Sequence, residues 1–165
     1  MSKQRKILIG MAGGVVWSVL LIWIGSTMVS VPTMMRQLVQ PFYALGPGIA
    51  LVAIIGTIAT RRFLTPDLID GETPPPGSRT EIDLRVLRNT VEQAVVALCI
   101  WPAISILLYT DGPGVVLALT AGFPAARLVF WYGYHKSPPL RAFGFAATAY
   151  PTVLALLWAL LLRVF

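Results

Sequence analysis

The stretch Leu84 to Leu98 reads LRVLRNTVEQAVVAL, and how it is read decides the fold. On a helix, Arg85, Arg88, Asn89 and Glu92 fall at i, i+3, i+4 and i+7, so all four share one face. Val86, Leu87, Val91, Ala94 and Val95 between them are apolar, and the run stays apolar as far as Tyr109. A charged stripe entering so hydrophobic a helix either pairs internally or holds something. Internal pairing is available: Arg88 reaches Glu92 and Glu81 reaches Arg85 at four-residue spacing. Arginines near a helix end also snorkel toward water. Asn89 and Glu92 lie deeper, and an acid at that depth is kept only with partners.

Composition sets the surroundings of that helix. Of 165 residues, 56% are hydrophobic and only 12% charged, where soluble domains carry about 25% charged residues. The chain reads as an all-α integral membrane protein. Its net charge of +6 does not imply nucleic-acid binding, because basic residues gather on the cytoplasmic loops of membrane proteins for topological reasons. No basic run with interleaved aromatics appears outside the loops. The single cysteine, Cys99, sits in an apolar run, as a buried structural thiol would.

A spanning helix needs about 20 predominantly apolar residues. Five segments qualify: 7–29, 42–60, 84–109, 115–134 and 142–162. The first follows Lys3, Arg5 and Lys6, yet its apolar run exceeds the length of a signal-peptide core, and no small-residue cleavage site follows. It reads as an uncleaved helix. Two regions are expected: 1–40, with a basic tail, an extra membrane helix and an outer loop, and 41–165, a four-helix membrane domain with a cytoplasmic loop at 61–83. With the N-terminus cytoplasmic, Lys3, Arg5, Lys6, Arg61, Arg62, Arg79, Lys136 and Arg141 lie inside, and only Arg36 and Arg163 outside. The C-terminus is then on the outer side. TDGPG, Thr110 to Gly114, is a tight outer turn that makes the third and fourth helices an antiparallel hairpin. The proline-rich loop DGETPPPGS reads as a flexible connector or as a lid over a site at that face.

Two further groups of polar residues lie toward the same side. In ARLVFWYGYHK, Ala126 to Lys136, Arg127 precedes Tyr134 by seven residues, about 10 Å along one helix face. Trp131, Tyr132 and Tyr134 suit an interfacial aromatic belt, but Arg127 is too deep for that explanation. His135 has no second His or Cys nearby, so no metal site is expected. In PPLRAFGFAATAY, Pro138 to Tyr150, Arg141 opens the last helix, either as an inner anchor or as a ligand group. Should Arg85, Arg88, Arg127 and Arg141 converge with Asn89, Glu92 and Tyr134, they would form an anion site with one acidic member. Such a site suits a ligand with several carboxylates and an ammonium group.

RVLRNTVE closely resembles the R-x-x-R-N-x-x-E signature of the MAPEG superfamily, the membrane-associated proteins of eicosanoid and glutathione metabolism. ARLVFWYGY followed by PLRAFGF resembles that family's later block, and together the resemblance covers about Phe42 to Phe165. It implies a MAPEG-like four-helix bundle assembled as a homotrimer, with glutathione between subunits near the cytoplasmic face. By that resemblance Arg85, Arg88, Asn89, Glu92, Arg127 and Tyr134 bind glutathione, and Arg141 is the catalytic residue that stabilises its sulfur. Arg61 or Arg62 would replace an arginine that members carry at the end of their first helix. The implied activity is that of a glutathione-dependent transferase or peroxidase acting on apolar electrophiles or lipid hydroperoxides. Three departures favour the alternative of a non-catalytic accessory or lipid-binding subunit. Ala142 and Phe145 stand where some members carry hydroxyls, and the first helix is additional; it could dock to a partner membrane protein. A small transporter is a weaker third reading, without the inverted repeat such proteins show.

Overall fold

The computed structural model describes residues 2–164. Met1 and Phe165, and the side chains of Lys3 and Val164, lie outside the described residues, so the contribution expected of Lys3 is not placed. Five helices follow in order: α1 (Lys3–Thr27), α2 (Leu45–Phe63), α3 (Arg79–Leu107), α4 (Gly112–Lys136) and α5 (Pro138–Val164). Among the described residues there is no strand. All five helices are long and apolar enough to cross a membrane, and the chain is a multi-pass integral membrane protein.

The helices alternate in direction, so α1, α3 and α5 begin at one end of the bundle, where α2 and α4 stop. This end carries the basic clusters and is called the polar end below. At the opposite end the α3–α4 turn passes through Tyr109 in the left-handed region at φ 51°. The Arg163 guanidinium lies 4.4 Å from the Tyr109 ring centroid there, tying the end of α5 to that turn.

Lipid offers apolar side chains the same environment they find in a bundle, so association rests on close packing and interhelical hydrogen bonds. Trp101 on α3 is 1% exposed. It meets Phe123 of α4 edge-on at 6.0 Å and donates its indole N–H to Thr152 Oγ1 of α5 at 3.0 Å. Pro124 cannot donate to the Thr120 carbonyl one turn earlier. At that height α2 comes so close that a Cβ on Gly46 would overlap the Thr120 oxygen.

α1 lies along α5 and α4. Gly10, Gly14 and Ser18 recur every four residues on its inner face and are buried, the spacing by which membrane helices bring backbones together. A Cβ on Gly14 would come within 3.0 Å of the Ala146 carbonyl carbon, and one on Gly25 within 2.5 Å of Val115 Cα. The opposite side of α1, with Leu8, Val16, Val19 and Trp23, is exposed.

α3 starts earlier than the hydrophobic run suggests. Ser78 caps it, accepting from the Glu81 backbone N–H at 3.2 Å, while the Glu81 carboxylate accepts from Gly77 N–H at 2.7 Å. This reciprocal arrangement begins the helix at Arg79 and shortens the loop expected at 61–83. Leu68 and Pro74 of the remaining connector are buried, so it is anchored to the bundle. Cys99 is exposed on the outer face of α3, which corrects the buried thiol expected from its apolar run. Its neighbours are apolar, but the helix turns them toward different sides: Ala97 and Trp101 inward, Leu98 and Cys99 outward.

Candidate functional site

At the polar end, α1, α3, α4 and α5 enclose a cavity of about 350 Å³. Asn89 comes from α3, Phe130 and Tyr134 from α4, and Arg141, Ala142 and Phe145 from α5. Ile7 and Met11 of α1 complete the wall. Among the described residues no carboxylate lies within 4 Å of Arg141. Its guanidinium instead lies 5.0 Å from the Tyr134 ring centroid, within cation–π range.

The seven-residue spacing of Arg127 and Tyr134 produces a ladder rather than two parallel ligands. The Arg127 guanidinium lies 3.8 Å from the Phe130 centroid, and the Phe130 and Tyr134 centroids are 5.1 Å apart, edge to face. With Arg141 beyond Tyr134, two cations flank an edge-to-face pair of aromatic rings. Arg127 is 1% exposed. Its Nε and Nη2 donate to Thr90 Oγ1 at 3.2 and 2.9 Å, and Nη2 also donates to Asn89 Oδ1 at 3.1 Å. Its Nη1 is buried without a hydrogen-bond partner. Holding the Asn89 oxygen in this way turns the Asn89 amide nitrogen toward Glu92, where Nδ2 donates to Oε2 at 3.3 Å.

The stripe on α3 is therefore divided. Asn89 faces the cavity, whereas Arg85, Arg88 and Glu92 face away from the bundle. Both anticipated internal pairs form: Arg85 Nη2 to Glu81 Oε1 at 2.6 Å and Arg88 Nε to Glu92 Oε1 at 3.5 Å. The Arg88 side chain is 86% exposed and that of Glu92 55%. Exposed pairs at this spacing contribute little to stability. Within one chain the four arginines do not converge: Arg141 lines the cavity, Arg127 supports it from behind, and Arg85 and Arg88 lie outside.

A second polar cluster escaped the sequence reading. Asp83 on α3 has no exposed surface. Its Oδ1 accepts from Trp131 Nε1 at 2.7 Å and from His135 Nε2 at 2.8 Å. Arg61 Nε, at the end of α2, sits 3.1 Å from Oδ2, close enough for an ion pair but out of line for a hydrogen bond. Arg61 is thus committed to Asp83. The missed signal is the Ser78–Glu81 cap, which places Asp83 in helical register with Val86 and Thr90 on the buried face. Among the described residues no group of His, Cys, Asp and Glu is arranged to hold a metal ion.

A cavity lined by an arginine at the polar end of a packed helical bundle places the chain among small multi-pass membrane proteins. The model of the MAPEG family matches residues 14–162, and the chain belongs to that family, which is associated with glutathione and eicosanoid metabolism. The match begins inside α1, earlier than Phe42, where the resemblance read from the sequence begins. No curated protein and no solved structure matches the chain.

Proposed function

We propose that the protein is a glutathione-dependent transferase or peroxidase acting on apolar electrophiles or lipid hydroperoxides, and that it works as a homotrimer with its N-terminus in the cytoplasm. The observation that carries this reading is the outward stripe Arg85, Arg88 and Glu92, beside a cavity whose arginine has no acidic partner. Charges on the outer face of a membrane helix are costly against lipid. A second copy covering the stripe removes that cost and adds two guanidinium forks and a carboxylate to the cavity mouth. Glutathione fits this donor set: its carboxylates suit Arg85 and Arg88, and its ammonium suits Glu92. Arg127 keeps Asn89 oriented, and Tyr134 is the one hydroxyl-bearing residue of the cavity wall. Arg141 would hold the sulfur as thiolate, since a nearby guanidinium lowers a thiol from its ordinary value of about 8.5. The bound thiolate supplies the nucleophile. Ile7, Met11 and Phe145 make that part of the wall apolar.

Ala142 and Phe145 favour a second reading, a non-catalytic lipid-binding or accessory subunit whose exposed α1 face meets a partner. One titration separates the two. The detergent-purified protein is titrated with glutathione near neutral pH and the ultraviolet absorbance of the thiolate is followed, with Arg141→Ala alongside. A saturable signal lost in the variant supports the enzyme; a wild-type protein without thiolate signal overturns it in favour of the accessory subunit.

A further inference from the structure

α1 gives the Arg141 cavity a wall of its own. α1 and α5 both start at the polar end, and two glycines fix their register. A Cβ on Gly10 would overlap the Pro139 oxygen and come within 3.1 Å of the Phe143 nitrogen. One turn on, a Cβ on Gly14 would lie 3.1 Å from the Ala147 nitrogen. Ile7 therefore lines the cavity toward the polar end, and Met11, one turn further in, stands about level with Ala142. Phe145 lies four residues beyond Arg141, about 6 Å deeper at 1.5 Å per residue. Met11 and Phe145 are thus the membrane-ward rim of the cavity. Both stay partly exposed, Met11 at 38% and Phe145 at 39%. Leu8 and Val15, one turn either side of Met11, are exposed on a helix apolar enough to cross a membrane. This rim meets hydrocarbon.

Among the described residues α1 and α3 do not pack on each other, so the cavity is open between Met11 on one side and Asn89 on the other. A second copy seated on Arg85, Arg88 and Glu92 covers the α3 side and leaves the α1 side to lipid. The cavity, about 350 Å³, is near the lower end of the range of about 300–1,000 Å³ usual for ligand pockets. A bound thiol takes part of that space. We propose that Met11 and Phe145 frame the way in from the bilayer and set the width of the apolar molecule that reaches Arg141. One aromatic ring or one unbranched chain passes; fused rings do not. Met11 suits this place, because a flexible thioether chain fills an irregular gap and yields to a slim ligand. As a rule for the second substrate this rests on the transferase or peroxidase reading; as a property of the cavity it does not.

Entry is read without catalysis. In the full chain in phosphatidylcholine nanodiscs, with Cys99→Ser removing the native thiol, Ala142→Cys puts one thiol on the cavity wall. Leu8→Cys in the same background puts one on the outward face of α1. Each is reacted with N-ethylmaleimide and with the four-ring N-(1-pyrenyl)maleimide, and circular dichroism verifies that every variant keeps its helices. Relative to the small reagent, the pyrene reagent should be about tenfold slower at position 142 than at position 8. Adding Met11→Ala or Phe145→Ala should remove most of that difference and leave the rate of the small reagent nearly unchanged. Equal ratios at the two positions overturn the proposal, as does a pyrene rate at position 142 that neither rim variant raises. No reaction at position 142 with either reagent shows the cavity closed to the bilayer and overturns it too. Glutathione turnover of one-ring 1-chloro-2,4-dinitrobenzene and three-ring 9-(chloromethyl)anthracene tests the enzyme separately. A rim that filters maleimides in a protein that turns over neither electrophile supports the entrance and sinks the transferase.

Discussion

Gly25→Ala isolates how closely α1 is seated. A Cβ at this position would lie 2.5 Å from Val115 Cα and 2.9 Å from both Val115 N and the Gly114 oxygen. These are backbone atoms within the first turn of α4, and they cannot swing aside as a side-chain tip can. α1 must retreat by about 1 Å, a gap that forfeits a quarter to a half of the dispersion energy of each affected contact. Overpacking of this kind costs about 1–3 kcal/mol. Gly56→Ala on α2 is the matched control, since a Cβ there meets nothing within 4 Å. Relief of glycine's backbone entropy should make it more stable by about 0.5–1 kcal/mol. The same chemical change thus differs in sign between two helices, by about 1.5–4 kcal/mol in all. Helicity followed by circular dichroism as sodium dodecyl sulfate is added to protein in mild detergent reads both variants. Equal midpoints for Gly25→Ala and Gly56→Ala would refute the tight seating of α1.

Arg127→Met replaces a buried charge by an apolar chain of similar length, and such exchanges are often neutral or stabilising. The expected result is a stable protein whose affinity for glutathione falls about tenfold, because Asn89 loses the donor that orients it; isothermal titration reads the affinity and unchanged binding sinks the positioning role. Arg127→Lys keeps a charge without the planar fork that reaches both Thr90 and Asn89, and should cost about 2–3 kcal/mol in the same unfolding assay. Asp83→Asn keeps an acceptor but removes its charge from Trp131, His135 and Arg61. With Arg61 partly open to water, the expected cost is about 2–3 kcal/mol, and a wild-type unfolding midpoint would show the network to be slack.

Long hydropathic runs made the spans legible, because a membrane leaves a helix few choices of length. Each helix extends beyond its apolar run where polar residues continue the turn: α3 begins at Arg79 rather than Leu84, α4 ends at Lys136 rather than Tyr134. Those added turns carry Asp83 and His135, so the network around Asp83 stayed hidden with them. The stripe RVLRNTVE was legible as a stripe, but periodicity fixes only relative angles. It does not say that Asn89 turns inward while Arg88 and Glu92 turn out, since that depends on where α4 and α5 lie. Arg127 shows the same limit. Its register with Tyr134 was readable, whereas Phe130 between them, which links the pair through an edge-to-face contact, looked like any other apolar residue. The role of Gly10, Gly14 and Ser18 is visible only once a facing helix is known.

That facing helix, α5, lies four helices further along the chain. α1 is made well before it, and the glycine face of α1 finds its main partner, α5, only after more than a hundred further residues have been synthesised. Until then the Gly10 and Gly14 face of α1 has no α5 to pack against, although Gly25 can already meet the start of α4. Pairing of such sequence-distant segments carries the largest loop-closure cost and comes late. Since Ile7 and Met11 of α1 and Arg141 of α5 wall the same cavity, the site does not exist on a nascent or truncated chain. A chain stopped before α5 carries the RVLRNTVE stripe intact and has nowhere to put a ligand.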